Sequence, residues 1–242
     1  MEKGGNMFIN IKTENEKRAR NNMIDCRGAY IKSLIQELGF TSYLEIGLSS
    51  NPNAPYRMIE LENKTSVDMN PNTNPDFCLS SDTFFDNLNN GQLPINSNYK
   101  WEAIFIDGNH LAYQVYKDLC NAINHLSDDG IIFLHDSLPW SYDMTIENHV
   151  GSRQATCQDA WKVIEYCLKN RDDLDICTVE ESGGGLGIIK KRKSQRIQML
   201  DRDYNKFYQY CVYEKDKFKK MNCIEKESAR TWILEPNVKY SF

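Results

Sequence analysis

The chain has 242 residues, 40% of them hydrophobic and 26% charged, with a formal net charge of −5. That length supports a full core in one large domain or one domain with an appendage, and the acidic balance excludes the overall basic field of a nucleic-acid binder. No apolar run approaches the ~20 residues that span a bilayer, the opening shows no signal-peptide stretch, and the eight cysteines include no C-x-x-C pair. A reducing cytoplasm, with neither zinc site nor disulfide framework, is therefore expected.

Residues 1–24 are polar and read as an arm. "RGAYIKSLIQELG" (27–39) carries apolar residues at helical spacing and a glycine suited to stop the helix. "SYLEIG" is a strand, "NAPYRMIELEN" a helix with Pro55 in its first turn, and "KTSVDM" the next strand. "DFCLS" follows as a third strand and "SDTFFDNLNN" as a helix. "WEAIFID" and "GIIFLHD" are near-continuous apolar strands, the pattern of a sheet covered on both faces. Between them "HLAYQVYKDLCNAINHL" places Leu111, Val115, Leu119, Ala122 and Leu126 on one helical stripe. "QDAWKVIEYCLKN" is a further helix with Trp161 in the core, and "LDICTVEE" and "GLGIIKK" are two strands joined by a glycine-rich turn, hence an antiparallel pair at one edge. This predicts an α/β fold: a Rossmann-like, doubly wound, mostly parallel seven-stranded sheet with an antiparallel edge strand, spanning residues 25–193. From 194 to 242 a tail rich in Lys, Arg, Tyr and Phe is expected to hold one helix, for packing or for contact with a second copy.

In such a sheet ligands bind outside the carboxyl ends of the strands. Glu45 and Gly47 close the first strand, Asp68 the second; Ser81 and Asp82 follow the third; Asp107 closes the fourth with His110 just beyond; His135 and Asp136 close the fifth. One acid at a strand end is ordinarily a helix cap or turn residue; a whole set aimed at one edge points to a ligand. The first loop, "LEIGLSSNPNAP", carries one glycine instead of G-x-G-x-x-G, so a pyrophosphate fits poorly. An acid at the second strand end can accept both ribose hydroxyls, and Glu45 suits a ligand with positive charge. S-adenosylmethionine has an ammonium, a sulfonium and no phosphate. His125 reads as a surface or helix-end residue and His149 as part of a loop.

"YLEIG", "SVDMNP", "LSSDTFF", "IFIDGNHLAYQVYKDL", "GIIFLHDSLP", "DAWKVI" and "GLGII", in that order, resemble the class I S-adenosylmethionine-dependent methyltransferases, near the metal-dependent sugar and macrolide O-methyltransferases, over roughly residues 25–192. The resemblance implies cofactor contacts from Glu45, Gly47, Asp68, Ser81 and Asp82. It implies a divalent cation, Mg²⁺ or Mn²⁺, at Asp107, His135 and Asp136, with His110 as general base and Asp107 as its catalytic partner. Relatives carry an acid where this chain has His135, and an imidazole moves preference from Mg²⁺ toward Mn²⁺, Fe²⁺ or Zn²⁺. Methyl transfer to an oxygen of a small molecule, a sugar or secondary metabolite, is the expected reaction, with no nucleic-acid or membrane partner. The rivals are a nicotinamide-dependent oxidoreductase and a non-catalytic protein that keeps the cofactor pocket.

Overall fold

The computed structural model describes residues 27–139, 142–145, 157–181, 184–193 and 221–235. The expected arm, His149 and most of the expected tail helix lie outside these residues. Within them run α1 (Arg27–Leu38), β1 (Ser42–Ile46), α2 (Pro55–Met58), β2 (Asn63–Val67), α3 (Ser81–Asn89), β3 (Trp101–Ile106), α4 (Ala112–Asn124) and β4 (Leu126–His135). Then come α5 (Lys162–Asn170), β5 (Leu174–Val179), β6 (Leu186–Lys191), β7 (Cys223–Ile224) and α6 (Lys226–Leu234).

The seven strands form one sheet in the order β2-β1-β3-β4-β6-β5-β7. β2, β1, β3 and β4 pair in parallel. β6 runs antiparallel to both β4 and β5, as the direct turn from β5 to β6 predicts. "DFCLS" is not a strand: it makes a single bridge, Val67 to Phe77. Its acid is used elsewhere, because Asp76 accepts from the Ser66 amide and hydroxyl at 2.8 Å and from the Tyr56 hydroxyl at 2.5 Å. The seventh strand is instead β7, from the far end of the chain, paired with β5 through Thr178–Cys223 and Val179–Ile224.

Both faces of the sheet are buried, which explains the unbroken apolar strands. On one face Leu44, Ile46, Ile104, Ile106, Ile132 and Leu134 meet Phe84, Phe85, Leu119 and Ile164 of α3, α4 and α5. On the other, Tyr43, Phe105, Phe133 and Ile188 meet Ile31, Leu34, Ile35, Tyr56 and Trp232 of α1, α2 and α6. Each such side chain withdrawn from water stabilises the fold by roughly 1.5–3 kcal/mol. α1 ends where Gly39 turns left-handed (φ +66), with the Gly39 amide on Gln36 O and the Phe40 amide on Ile35 O. That double bond satisfies carbonyls the helix end leaves unpaired.

His125 is a core residue, not a surface one. Its Nδ1 lies 3.1 Å from Tyr99 O, its Nε2 lies 3.0 Å from Asn89 Oδ1, and its ring stacks on Phe85. Burial holds its pKa below the usual histidine range.

Candidate functional site

The parallel strands end together, so the loops after β1, β2, β3 and β4 share one edge. Two regions occupy it. The first is a cavity of about 540 Å³ over β1, β2 and β3, with Gly47, Asp68, Met69, Ser81, Asp82 and Asp107 on its wall. Gly47 sits at φ +84, and a Cβ there would lie 2.2 Å from the Asp107 carbonyl oxygen, so only glycine lets the two strand ends approach. Asp68 Oδ2 accepts from the Leu48 amide at 2.6 Å and Oδ1 from the Asn70 amide at 2.7 Å. These bonds fix the carboxylate across the β1 loop and leave about two of its roughly four lone-pair sites unused.

Ser81 and Asp82 open α3, whose first turn is capped by the Ser80 hydroxyl accepting from the Thr83 amide at 3.1 Å. Asp82 also accepts from Lys117 at 2.5 Å and from Gln114 at 3.1 Å. Gln114 and Asp118, one turn apart on α4, line the same cavity and were not anticipated; the Gln114 amide also donates to Asp118 at 3.0 Å. Burial pushes the Asp118 carboxyl up to about 6, against hydrogen bonds from Ser81 and Gln114. Among the described residues four aspartates, 68, 82, 107 and 118, therefore line this cavity, and no lysine, arginine or histidine does.

Glu45 does not reach that wall. Strand alternation puts it with Tyr43 beneath α1 and α2, 1% exposed, where the Tyr43 hydroxyl donates to it. Burial pushes its carboxyl up to about 8, and the Asp107 charge adds to this against bonds from Tyr43 and the Tyr56 backbone.

The second region is a cluster at the ends of β3 and β4. His135 Nδ1 lies 2.6 Å from Asp107 Oδ1, and His110 Nε2 lies 3.3 Å from the same oxygen. The far nitrogens face Asp136: His110 Nδ1 at 3.0 Å from Oδ2, His135 Nε2 at 3.2 Å from Oδ1. Two imidazoles thus alternate with two carboxylates around a ring. His110 stands just ahead of α4, held by its carbonyl accepting from the Asp159 amide, while Asp159 Oδ1 takes the Ala112 amide at 2.5 Å. Asp136 adopts a left-handed backbone (φ 55), a conformation non-glycine residues hold only where the surroundings enforce it. Gly184 packs against it, and a Cβ there would lie 2.4 Å from Asp136 Oδ1.

Three neighbours of the cluster had no sequence signal. Glu181, beyond β5, brings Oε1 to 3.7 Å from His135 Nε2. Arg27 pairs with Glu181 at 3.3 Å and lies over Phe105. The Cys157 thiol donates to Asp136 at 3.5 Å. Burial disfavours a charge on His110, but its bonds to Asp107 and Asp136 outweigh that and push its pKa up to about 10. His135 Nε2 is a buried nitrogen without a hydrogen bond: Asp136 is near enough but off the angle. A positive ion suits such a ring of carboxylate oxygens and imidazole nitrogens, and Asp107, His110 and His135 offer ligand atoms within 4.8 Å of one another. Asp107 belongs to both regions.

Residues 58–137 match the family model described as a methyltransferase domain. No curated protein sequence matches the chain. Similar solved structures include an S-adenosylhomocysteine-bound methyltransferase from Podospora anserina, 15% identical over 78% of this chain and 88% of that one, with a TM-score of 0.47. An O-methyltransferase from Bacillus cereus, also with S-adenosylhomocysteine, is 14% identical over 75% and 88%, with a TM-score of 0.46. The O-methyltransferase of tomaymycin synthesis from Streptomyces achromogenes, in complex with S-adenosylmethionine, is 11% identical over 77% and 90%, with a TM-score of 0.47. No helix among the described residues is long and apolar enough to cross a membrane.

Proposed function

We propose that this chain is a cytoplasmic S-adenosylmethionine-dependent methyltransferase that acts on an oxygen of a small molecule, a sugar or secondary metabolite, with help from a divalent cation. The observation that carries this reading is the sign of the cavity: among the described residues four carboxylates line it, and only one of them, Asp82, is met by a cation, Lys117. A dinucleotide's pyrophosphate finds no partner on that wall. A nucleoside bearing an ammonium and a sulfonium is attracted to it. The methyltransferase-domain match over residues 58–137 covers β2, α3, β3, α4 and β4, which carry or adjoin Asp68, Ser81, Asp82, Asp107, His110, His135 and Asp136; β1 and Gly47 lie before it.

Asp68 has lone pairs left for two ribose hydroxyls, and Met69, 70% exposed though apolar, offers a flat base a surface to cover. Ser81 and Asp82 flank the same end, and Gly47 keeps the floor open. Glu45 acts from below: it shapes β1 through Tyr43 and does not meet the ligand directly. Bound here, S-adenosylmethionine supplies an already activated methyl group. A divalent cation at the neighbouring cluster supplies Lewis acidity that lowers an acceptor hydroxyl's pKa. Asp107, on the boundary, aligns the two halves, and positioning of this kind contributes roughly 7–11 kcal/mol in good cases.

The test is thermal. S-adenosylhomocysteine at a hundred times its Kd stabilises a folded protein by about 2.7 kcal/mol, a visible shift in the melting curve. Label transfer from tritiated S-adenosylmethionine to a hydroxylated acceptor checks the reaction itself. An unmoved melting curve at millimolar ligand, or nicotinamide turnover in its place, sinks the reading.

A further inference from the structure

The ring of two imidazoles and two carboxylates assigns different tasks to its members than strand-end position alone does. We propose that Asp107, His110 and His135 are the direct ligands of a transition-metal ion, and that Asp136 holds the two imidazoles in place from behind. His110 is then a ligand and not a free base. The inference deepens the methyl-transfer reading and rests on it for what the ion is used for, but not for the ion's presence.

Three distances carry it. Asp107 Oδ1, His135 Nδ1 and His110 Nε2 converge, with the oxygen 2.6 and 3.3 Å from the two nitrogens. Ligand atoms on one face of a six-coordinate ion at about 2.1 Å stand roughly 3 Å apart, and the two oxygen–nitrogen distances lie either side of that value. On the far side, Asp136 Oδ2 takes His110 Nδ1 at 3.0 Å. A ligating histidine characteristically gives its other N–H to a carboxylate, which sets the tautomer and the ring's aim.

His135 supplies the independent observation. With its Nδ1 proton on Asp107, its Nε2 lone pair is buried without a hydrogen bond, facing Asp136 Oδ1 at 3.2 Å and Glu181 Oε1 at 3.7 Å. In the neutral ring that lone pair is aimed at two carboxylate oxygens and repelled. Coordination of an ion at Nδ1 removes the proton there and places it on Nε2, where those two acceptors stand ready. The pocket behind His135 thus suits the Nε2–H tautomer that an ion at Nδ1 imposes.

The donor set then selects the ion. Mg²⁺ demands oxygen ligands in near-ideal octahedral geometry, whereas two imidazoles and one carboxylate are the facial triad of Fe²⁺ and also accept Mn²⁺, Co²⁺ and Zn²⁺. Open positions remain on such an ion for an acceptor's oxygens.

Cobalt is the probe, since it reports its ligands in visible absorption. Metal-stripped full-length protein titrated anaerobically with Co²⁺ is expected to bind it on the order of 100-fold tighter than Mg²⁺ in direct competition. His110→Ala and His135→Ala each weaken Co²⁺ at least ~10-fold and alter the band, while Asp136→Asn weakens it ~10–100-fold with the band position kept. Pulsed electron paramagnetic resonance of the Mn²⁺-loaded unsubstituted chain shows two directly coordinated nitrogens, a readout that needs no variant to fold. Mg²⁺ bound as tightly as Co²⁺, a His110→Ala spectrum and affinity identical to the parent, or fewer than two coordinated nitrogens overturns the assignment. The two proposals fail separately: S-adenosylhomocysteine stabilisation without Co²⁺ binding removes the triad alone, and Co²⁺ binding without that stabilisation removes methyl transfer alone.

Discussion

The cavity and the cluster share an edge of the sheet and one residue, yet they are built by opposite means. The floor of the cavity is fixed through the backbone. Its loops are fixed by backbone amides on nearby acids, such as Leu48 and Asn70 on Asp68, or by a cap inside one helix turn. The cluster is made of side chains gathered from Arg27 to Glu181, held by charge and burial. A site of the first kind tolerates the loss of one polar contact and fails when its backbone moves. A site of the second kind keeps its backbone and fails when one charge is left without its partner.

The sharpest way to break this contrast is at Gly47, where both regions meet. Gly47→Ala sets a Cβ against the Asp107 carbonyl at a left-handed backbone position and is expected to cost at least ~3 kcal/mol in denaturant unfolding, with ligand and metal binding lost together. If only one region suffers, the two are less joined than the geometry implies. Next in size is Asp68→Asn. It is expected to weaken S-adenosylhomocysteine by ~1.5–3 kcal/mol in calorimetry and leave metal content untouched, since Asp68 is no part of the cluster.

Smaller, and dependent on pH, is Glu45→Gln. The folded pKa of Glu45, about 8, lies above its ordinary value of 4.5, so the native state holds more protons than the unfolded one across that window. Stability contributed by the neutral carboxyl is complete below about 4.5 and is lost as pH rises toward 8, at up to about 1.4 kcal/mol per pH unit. The Gln variant should flatten the pH–stability curve there; an unchanged slope puts the loss on another group. Smallest is Lys117→Ala, which removes a half-exposed ion pair with Asp82 and should change melting by no more than about 1 kcal/mol.

Much of the fold was legible because burial on both faces writes itself into β3 and β4 as apolar runs, and the α4 stripe is buried from Val115 to Ala122. "DFCLS" misled because its composition suits a strand, while its amides and Asp76 serve the end of β2. β7 was invisible: two residues in a polar stretch carry no periodicity. At the site, position at a strand end singled out Asp107, His110, His135 and Asp136, and the structure brings those four side chains together. It could not say that Glu45 turns away, since that depends on which face of β1 the helices cover. Gln114 and Asp118 carried a readable signal, two polar residues one turn apart on a helix that starts at the strand-end edge. Glu181 carried none, because its neighbour Glu180 is equally acidic and only the strand's end decides which of them faces inward.

The ion pair between Arg27 and Glu181 spans 154 positions of sequence. A ribosome must therefore deliver nearly three-quarters of the chain before α1 can be latched to Glu181. Until then the acids around His135 lack their one fixed arginine. The four members of the ring are all made earlier, so this ion pair is laid against a ring whose side chains already exist.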